Sequence, residues 1–309
     1  MKAIRIHERS GPEMFRYEVA PVPKPGAGEI LVRVHAAGVT PGELEWFPTW
    51  FTRLTQPRPF PIIPGHEFSG EVVEVGGRSE GVSVGDRVFG LNDWFCDGAF
   101  AEYCVTRPDF VVPRPDSLDE LSAAVTPISA LTAWQGLIHR GRLAKGNRVL
   151  VHGGAGAVGQ FVVQIARWRG AHVIATCSAA NEALVRELGA QETIDYRAVA
   201  FESAVSDVDL VFDTVGGETL DRSWQVLGPS GRLVTISNDG TTSKDPRVRS
   251  AFFIVEPDRI QLEDLAKWID EGILRPDVDR VFPLARAREA FEAKPLRGKS
   301  VVRVLDSPG

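Results

Sequence analysis

The sequence predicts an α/β protein of two units, a doubly wound parallel sheet in the second part of the chain and a compact, mostly β unit ahead of it. Three observations carry this expectation. The chain has 309 residues, more than one compact core usually holds. Residues 1–120 are rich in Gly and Pro and alternate short β-like runs with turn clusters. From Asp119 onward, apolar strands alternate with helical stretches, and a glycine-rich turn stands between one strand and the helix after it, as in βαβ units.

Within the first unit, Ile30–His35, Gly70–Val75 and Arg87–Leu91 read as strands. Asp119–Trp134 reads as helical apart from Pro127, which lacks the N–H that a helix interior needs. Arg148–Val151 is an apolar strand, Gln160–Arg169 is helical, and His172–Thr176 is the next strand. Further strands are expected at Val208–Asp213 and Arg232–Ile236. In Arg259–Glu271, Leu262, Leu265 and Ile269 fall on one helical face. A strand-like Asp279–Pro283, a helix at Ala285–Ala293 and a closing strand Ser300–Leu305 complete the chain, with no internal repeat.

Composition narrows the function classes. Hydrophobic residues at 43% and charged residues at 25% are those of a globular protein and exclude disorder as the main state. A net charge of -6 provides no field for collecting nucleic-acid phosphates. No signal-peptide core opens the chain and no apolar run approaches the length that spans a bilayer, so a cytoplasmic protein without membrane contact is expected. The three cysteines, Cys96, Cys104 and Cys177, are unevenly spaced and read as free thiols of a reducing compartment. Without a CxxC pair, a four-cysteine zinc lobe is excluded.

Val149–Gly159 (VLVHGGAGAVG) places Gly153, Gly154, Gly156 and Gly159 between strand and helix. Glycine lets the backbone turn sharply and approach a pyrophosphate, and the helix N-terminus offers it unpaired N–H groups. Gly154, Gly156, Ala157, Val158 and Gly159 are therefore the candidate dinucleotide contacts. NAD-preferring sites carry an acid about 20 residues on, at the end of the second strand. Here that strand ends in Thr176-Cys177-Ser178, with no carboxylate before Glu182. NADPH is the expected cofactor, with Ser178 a donor to its 2′-phosphate and Tyr196, Arg197 and Arg186 further candidates. The bland alternative for both arginines is a solvated surface.

At this point the chain resembles the medium-chain dehydrogenase/reductase superfamily and, within it, the zinc-less quinone oxidoreductases. The resemblance rests on Ala36–Pro41 (AAGVTP), Pro64–Gly70 (PGHEFSG), Val84–Gly90 (VGDRVFG), Gly98–Tyr103 (GAFAEY), Ala130–Trp134 (ALTAW), the glycine loop, Asp213–Gly217 (DTVGG) and Gly228–Arg232 (GPSGR). It implies a GroES-like catalytic domain from both chain ends, residues 1–122 and 258–309, around a Rossmann NADP-binding domain at 123–257, and a homodimer. It also implies that Thr132, Val215, Asn238, Phe253, Val255 and Lys299 lie along the cofactor cleft.

Zinc-dependent relatives hold their metal at positions that correspond to Thr40, His66 and about Ile128. Only the histidine remains, and one imidazole does not make a zinc site; Glu67 and Glu43 are the conceivable substitute ligands, and no metal is expected. Without a Lewis acid, alcohol oxidation is disfavoured. Reduction of a quinone or enone asks only for hydride and for donors to the oxygen on which charge develops. Thr40 is the first candidate donor, and His66 is either a relay group or a structural histidine. Trp46 and Trp50, in the aromatic stretch Trp46–Phe51, are candidate walls for a flat acceptor, the alternative being a hydrophobic plug. Three competing readings share these residues: an enoyl or enone reductase of one pathway, a non-catalytic NADPH sensor, and a zinc alcohol dehydrogenase with unusual ligands.

Overall fold

The computed structural model describes residues 1–77, 81–237 and 243–305. Strands β1 (Lys2–Arg5) and β2 (Arg16–Val19) form a small antiparallel ladder. The first large sheet is built from β3 (Glu29–Gly38), β4 (Glu67–Gly76), β5 (Arg87–Leu91), β6 (Tyr103–Thr106) and β7 (Val111–Pro113). The second large sheet follows, with β8 (Arg148–His152), β9 (His172–Cys177), β10 (Glu192–Asp195), β11 (Val208–Asp213) and β12 (Leu227–Thr235). The chain then returns to the first sheet with β13 (Val278–Pro283) and β14 (Lys299–Arg303), giving the order β13-β14-β3-β4-β5-β7 with β6 also on β3.

β3 pairs with β4, β6 and β14. Eight of its ten residues are buried, and its apolar run is broken only by Arg33, which pairs with Glu71, and by the buried His35. The second sheet is wholly parallel, in the order β10-β9-β8-β11-β12. The chain winds outward from β8 to β10, then crosses to the other side of β8 for β11 and β12. That reversal opens a crevice at the carboxyl end of β8, where ligands of such sheets bind.

Both faces of the parallel sheet are covered. Val149 and Val151 of β8 face the core of helices Pro127–Trp134, Ala157–Trp168 and Arg259–Asp270, whereas Leu150 joins Ile174 and Val211 on the other face. A separate core of Val32, Val34, Phe68, Phe100 and Phe291 fills the first sheet.

Most of the expected elements are present, with shifted ends. Pro127 divides the helical stretch into Glu120–Ala124 and Pro127–Trp134, standing in the first turn of the second helix, where its missing N–H is harmless. The helix after the glycine loop begins at Ala157, three residues ahead of the expected Gln160, because Gly156 serves as its N-cap. Gln135–Arg140 forms a π-helical turn with no counterpart in the sequence reading. The last helix is a 3-10 turn, Leu284–Arg286, followed by Ala287–Glu292, and the closing strand starts at Lys299.

Candidate active site

The glycine loop is set by contacts that leave no room for side chains. Gly153 adopts a left-handed φ of 76°, and its N–H and that of Gly154 donate to the Thr176 hydroxyl and carbonyl at 3.2 and 2.9 Å. A Cβ on Gly159 would stand 2.1 Å from the Gly153 carbonyl oxygen, so the helix can fold back on its own loop only with glycine there. No side chain caps the helix at Gly156. The first-turn amides of Ala157, Val158 and Gly159 therefore form an anion-binding end of a 12-residue helix.

The remaining cofactor candidates lie on several different elements. Thr132 is buried in helix Pro127–Trp134, and its hydroxyl donates to the Ile128 carbonyl. Ser178 stands at the end of β9, and the exposed Tyr196 donates its N–H to the neighbouring Cys177 carbonyl, so the two share one rim. The Arg197 guanidinium lies 5.5 Å from the Tyr196 ring, while Arg186 turns instead to Glu182 and the Gln191 carbonyl. Val215 is exposed at the end of β11, in a turn held by the buried Asp213 carboxylate, which accepts the N–H groups of Val215 and Gly216 and the Thr235 hydroxyl. Phe253 and Val255 are buried in the segment after helix Pro246–Ala251. Asn238 lies outside the described residues.

A seam joins the two sheets beside the loop. Gly298 donates its N–H to the Ala155 carbonyl at 2.9 Å and bridges Gly156, so the strand carrying Lys299 touches the glycine loop itself. The Lys299 ammonium is buried against the Glu67 carboxylate, which also accepts the Ile128 N–H at 2.9 Å. Burial pushes the Glu67 carboxyl above its ordinary pKa, and Lys299 and the Ile128 N–H oppose that rise. Around this pair, the hydroxyls of Thr40, Ser129 and Ser300 are buried without a hydrogen-bond partner among the described residues. Orphaned buried donors at a seam beside an anion-binding helix end fit a polar ligand such as a dinucleotide.

His66 is almost wholly buried. Its Nδ1 faces the Glu43 carboxylate and its Nε2 the Cys96 carbonyl, each at 3.2 Å. Glu43 is fully buried, and its other oxygen accepts the Gly65 N–H at 2.6 Å. The imidazole packs against Trp94 at 4.8 Å, and Trp46 meets Trp94 edge-on at 4.9 Å. Trp50 has a different place from Trp46: it is buried with Ile6 and Ile62, its indole N–H donating to the Leu44 carbonyl, inside the plug given above as the alternative to a wall. Trp94 is the member of this group that carried no role in the sequence reading, and Glu43 stood there only as a conceivable metal ligand. The signal available for Trp94 was its place in Asn92-Asp93-Trp94-Phe95, between two family motifs.

The donor set does not suit zinc. Thr40 offers a hydroxyl and Ile128 only its backbone, and both nitrogens of His66 are already engaged. Among the described residues no three His, Cys, Asp or Glu side chains are grouped to hold a metal. A concavity of about 780 Å³ lies elsewhere, behind the loop of residues 92–98 and lined by Lys24, Arg58, Phe60 and Tyr103, away from the glycine loop. No helix among the described residues is long and apolar enough to cross a membrane.

Comparison with known proteins makes the chain an NAD(P)H-dependent oxidoreductase. Residues 26–116 match the alcohol dehydrogenase GroES-like domain, and residues 188–302 match the zinc-binding dehydrogenase family. The chain is 32% identical to the mitochondrial NAD(P)H oxidoreductase RTN4IP1 of Danio rerio over 90% of this chain and 84% of that one. Among solved structures it superposes on the quinone oxidoreductase from Coxiella burnetii with a TM-score of 0.87 at 30% identity, covering 99% of both chains. A mycobacterial protein solved in complex with NADPH gives a TM-score of 0.80 at 30% identity over 98% of this chain and 100% of that one. The chain belongs to the medium-chain dehydrogenase/reductase superfamily, among its quinone-oxidoreductase-like members.

Proposed function

We propose that the protein is a zinc-independent, NADPH-dependent oxidoreductase that passes hydride to a quinone or another activated carbon–carbon double bond. The observation that carries the reading is the donor set at Thr40, His66 and Ile128, where a hydroxyl, an imidazole with both nitrogens engaged and a backbone amide leave no Lewis-acid site. The quinone oxidoreductase from Coxiella burnetii supports the acceptor class, and the NADPH complex supports the cofactor.

In this reading Gly154, Gly156, Ala157, Val158 and Gly159 hold the pyrophosphate through amide donors and the helix end. Ser178 and Tyr196 hold the adenosine phosphate at a rim where β9 ends without a carboxylate, and Arg197 supplies a cation beside them. Thr132, Val215, Phe253 and Val255 line the nicotinamide half, and Lys299 stands at the seam, paired with Glu67. Bound NADPH supplies the hydride. Thr40, with its orphaned hydroxyl, donates to the acceptor oxygen as negative charge develops there, and Trp46 forms an apolar wall. His66, fixed by Glu43 and the Cys96 carbonyl, holds that wall in place through Trp94. Trp50 supports the same loop from within the plug.

The reading includes the division into residues 1–122 with 258–309 and residues 123–257, and a homodimer, for which β12 at the end of the parallel sheet is the natural junction. We place the protein in the cytoplasm on the strength of its three free cysteines. The test is oxidation of NADPH and NADH by chelator-treated protein with quinones, linear enones and aldehydes as acceptors.

A further inference from the structure

Loop 92–97 is fixed from several sides. The Asn92 amide donates to the Asp97 and Val105 carbonyls at 3.0 and 3.1 Å, and its backbone N–H donates to the His66 carbonyl at 2.6 Å. Arg58, itself buried, holds the Asp97 carboxylate at 2.8 Å and the Thr49 carbonyl at 3.3 Å. Arg53 holds Asp93 at 2.7 Å and lies over the Phe95 ring. A loop so restrained has little freedom of its own, and the side chain it presents keeps its place.

That side chain is Trp94. It is 5% exposed, and its indole N–H donates to the Val255 carbonyl at 2.8 Å across 161 residues of sequence. The Val255 segment is fixed from the opposite direction: Gln135 donates to the Glu256 carbonyl at 2.8 Å and accepts the Glu256 N–H at 3.1 Å, and Phe252 bridges Thr235 of β12. Trp94 therefore stands between two rigid bodies, with one ring edge on the nicotinamide-side segment and its faces and edges against Trp46 and His66.

We propose that Trp94 is a positioning residue, setting the distance and angle between the acceptor wall at Trp46 and the nicotinamide-side segment at Val255. The inference rests on the hydride-transfer reading above and goes beyond it in assigning the alignment of the two reactants to one indole N–H. Hydride transfer needs the donor and acceptor carbons close and aligned, and a misplacement of about 1 Å can cost on the order of a hundredfold in rate. Removing the N–H also leaves the buried Val255 carbonyl without this donor, so the segment gains freedom at the point where alignment matters.

The test begins with a fluorescence titration of NADPH on the wild-type protein, then compares Trp94→Phe, which keeps a flat ring and removes the donor. A second variant carries benzothienylalanine at position 94, the same shape with sulfur in place of N–H, and so separates loss of the donor from loss of packing. With a quinone acceptor, both variants are expected to lose about tenfold in kcat. Their NADPH dissociation constants are expected to stay within about twofold of wild type, a loss well under 1 kcal/mol. An unchanged kcat in the benzothienyl variant would overturn the proposal, as would a parallel loss of kcat and NADPH affinity, which would make Trp94 part of the cofactor site or the general scaffold. Absence of NADPH binding by the wild type would instead overturn the reading on which the proposal stands.

Discussion

Lys299 and Glu67 show how single residues tie the site together. Both are buried, one from each end of the chain, and the carboxylate also holds the first turn of helix Pro127–Trp134 through the Ile128 N–H. Taking one member of a buried pair away leaves the other uncompensated, at about 3 to 5 kcal/mol. Lys299→Met is therefore expected to lower the unfolding free energy by about 3 kcal/mol in a denaturant titration, and adding Glu67→Gln, which removes the charge and keeps an acceptor for the Ile128 N–H, should recover part of the loss. A Lys299→Met protein as stable as wild type would contradict the pairing. Sequence reading found Lys299 through its motif and His66 through its Gly-His-Glu context. It gave no role to Trp94, and Glu43 entered it only as a conceivable metal ligand. The partners that give these two meaning, Val255, His66 and Gly65, lie 161, 23 and 22 residues away, and no local pattern encodes such contacts.

Among the elements, the strand–loop–helix unit from β8 to the helix Ala157–Trp168 is the one whose local sequence dictates its geometry most completely. Strand period, glycine spacing and helix period agree there, and the structure differs in starting the helix at Ala157 and by one residue at the ends of strand and helix. Gly159→Ala places a methyl 2.1 Å from the Gly153 carbonyl oxygen and must push the loop off the helix end. The expected result is a loss of about tenfold or more in NADPH affinity, the value of one or two hydrogen bonds to a charged group, read by fluorescence titration. Unchanged affinity would mean that the pyrophosphate is held elsewhere. The aromatic stretch Trp46–Phe51 was less legible. Its composition fitted both a wall and a plug, and tertiary contacts divide it, with Trp46 on Trp94 and Trp50 in a plug with Ile6 and Ile62.

At the scale of the whole molecule, stability depends on a titratable group at the carboxyl end of β8. His152 is fully buried there, with Nδ1 on the Thr176 hydroxyl at 3.2 Å and Nε2 on the Ser223 hydroxyl at 3.1 Å. Burial pushes its pKa down to about 4 from 6.5, Arg222 adding to the effect and Glu202 opposing it. The folded protein keeps the ring neutral where the unfolded chain would protonate it. This contribution is complete above pH 6.5 and is lost as the pH falls toward 4, by about 3 kcal/mol in all. A His152→Asn variant is expected to show a flatter fall in Tm than wild type across that range, and equal slopes would place the acid sensitivity elsewhere. The two-sheet architecture was readable because each sheet has its own texture of strands and turns. The return of β13 and β14 to the first sheet was not readable from period or composition and came only with the family resemblance.

The central claim, hydride transfer from NADPH without a metal, is tested most directly by following absorbance at 340 nm with EDTA-treated protein, NADPH or NADH, and a panel of ortho- and para-quinones, linear enones and simple aldehydes. The account predicts turnover of quinones or enones, faster with NADPH than with NADH and undiminished by the chelator. Activity confined to aldehydes or alcohols and restored by added zinc would contradict it.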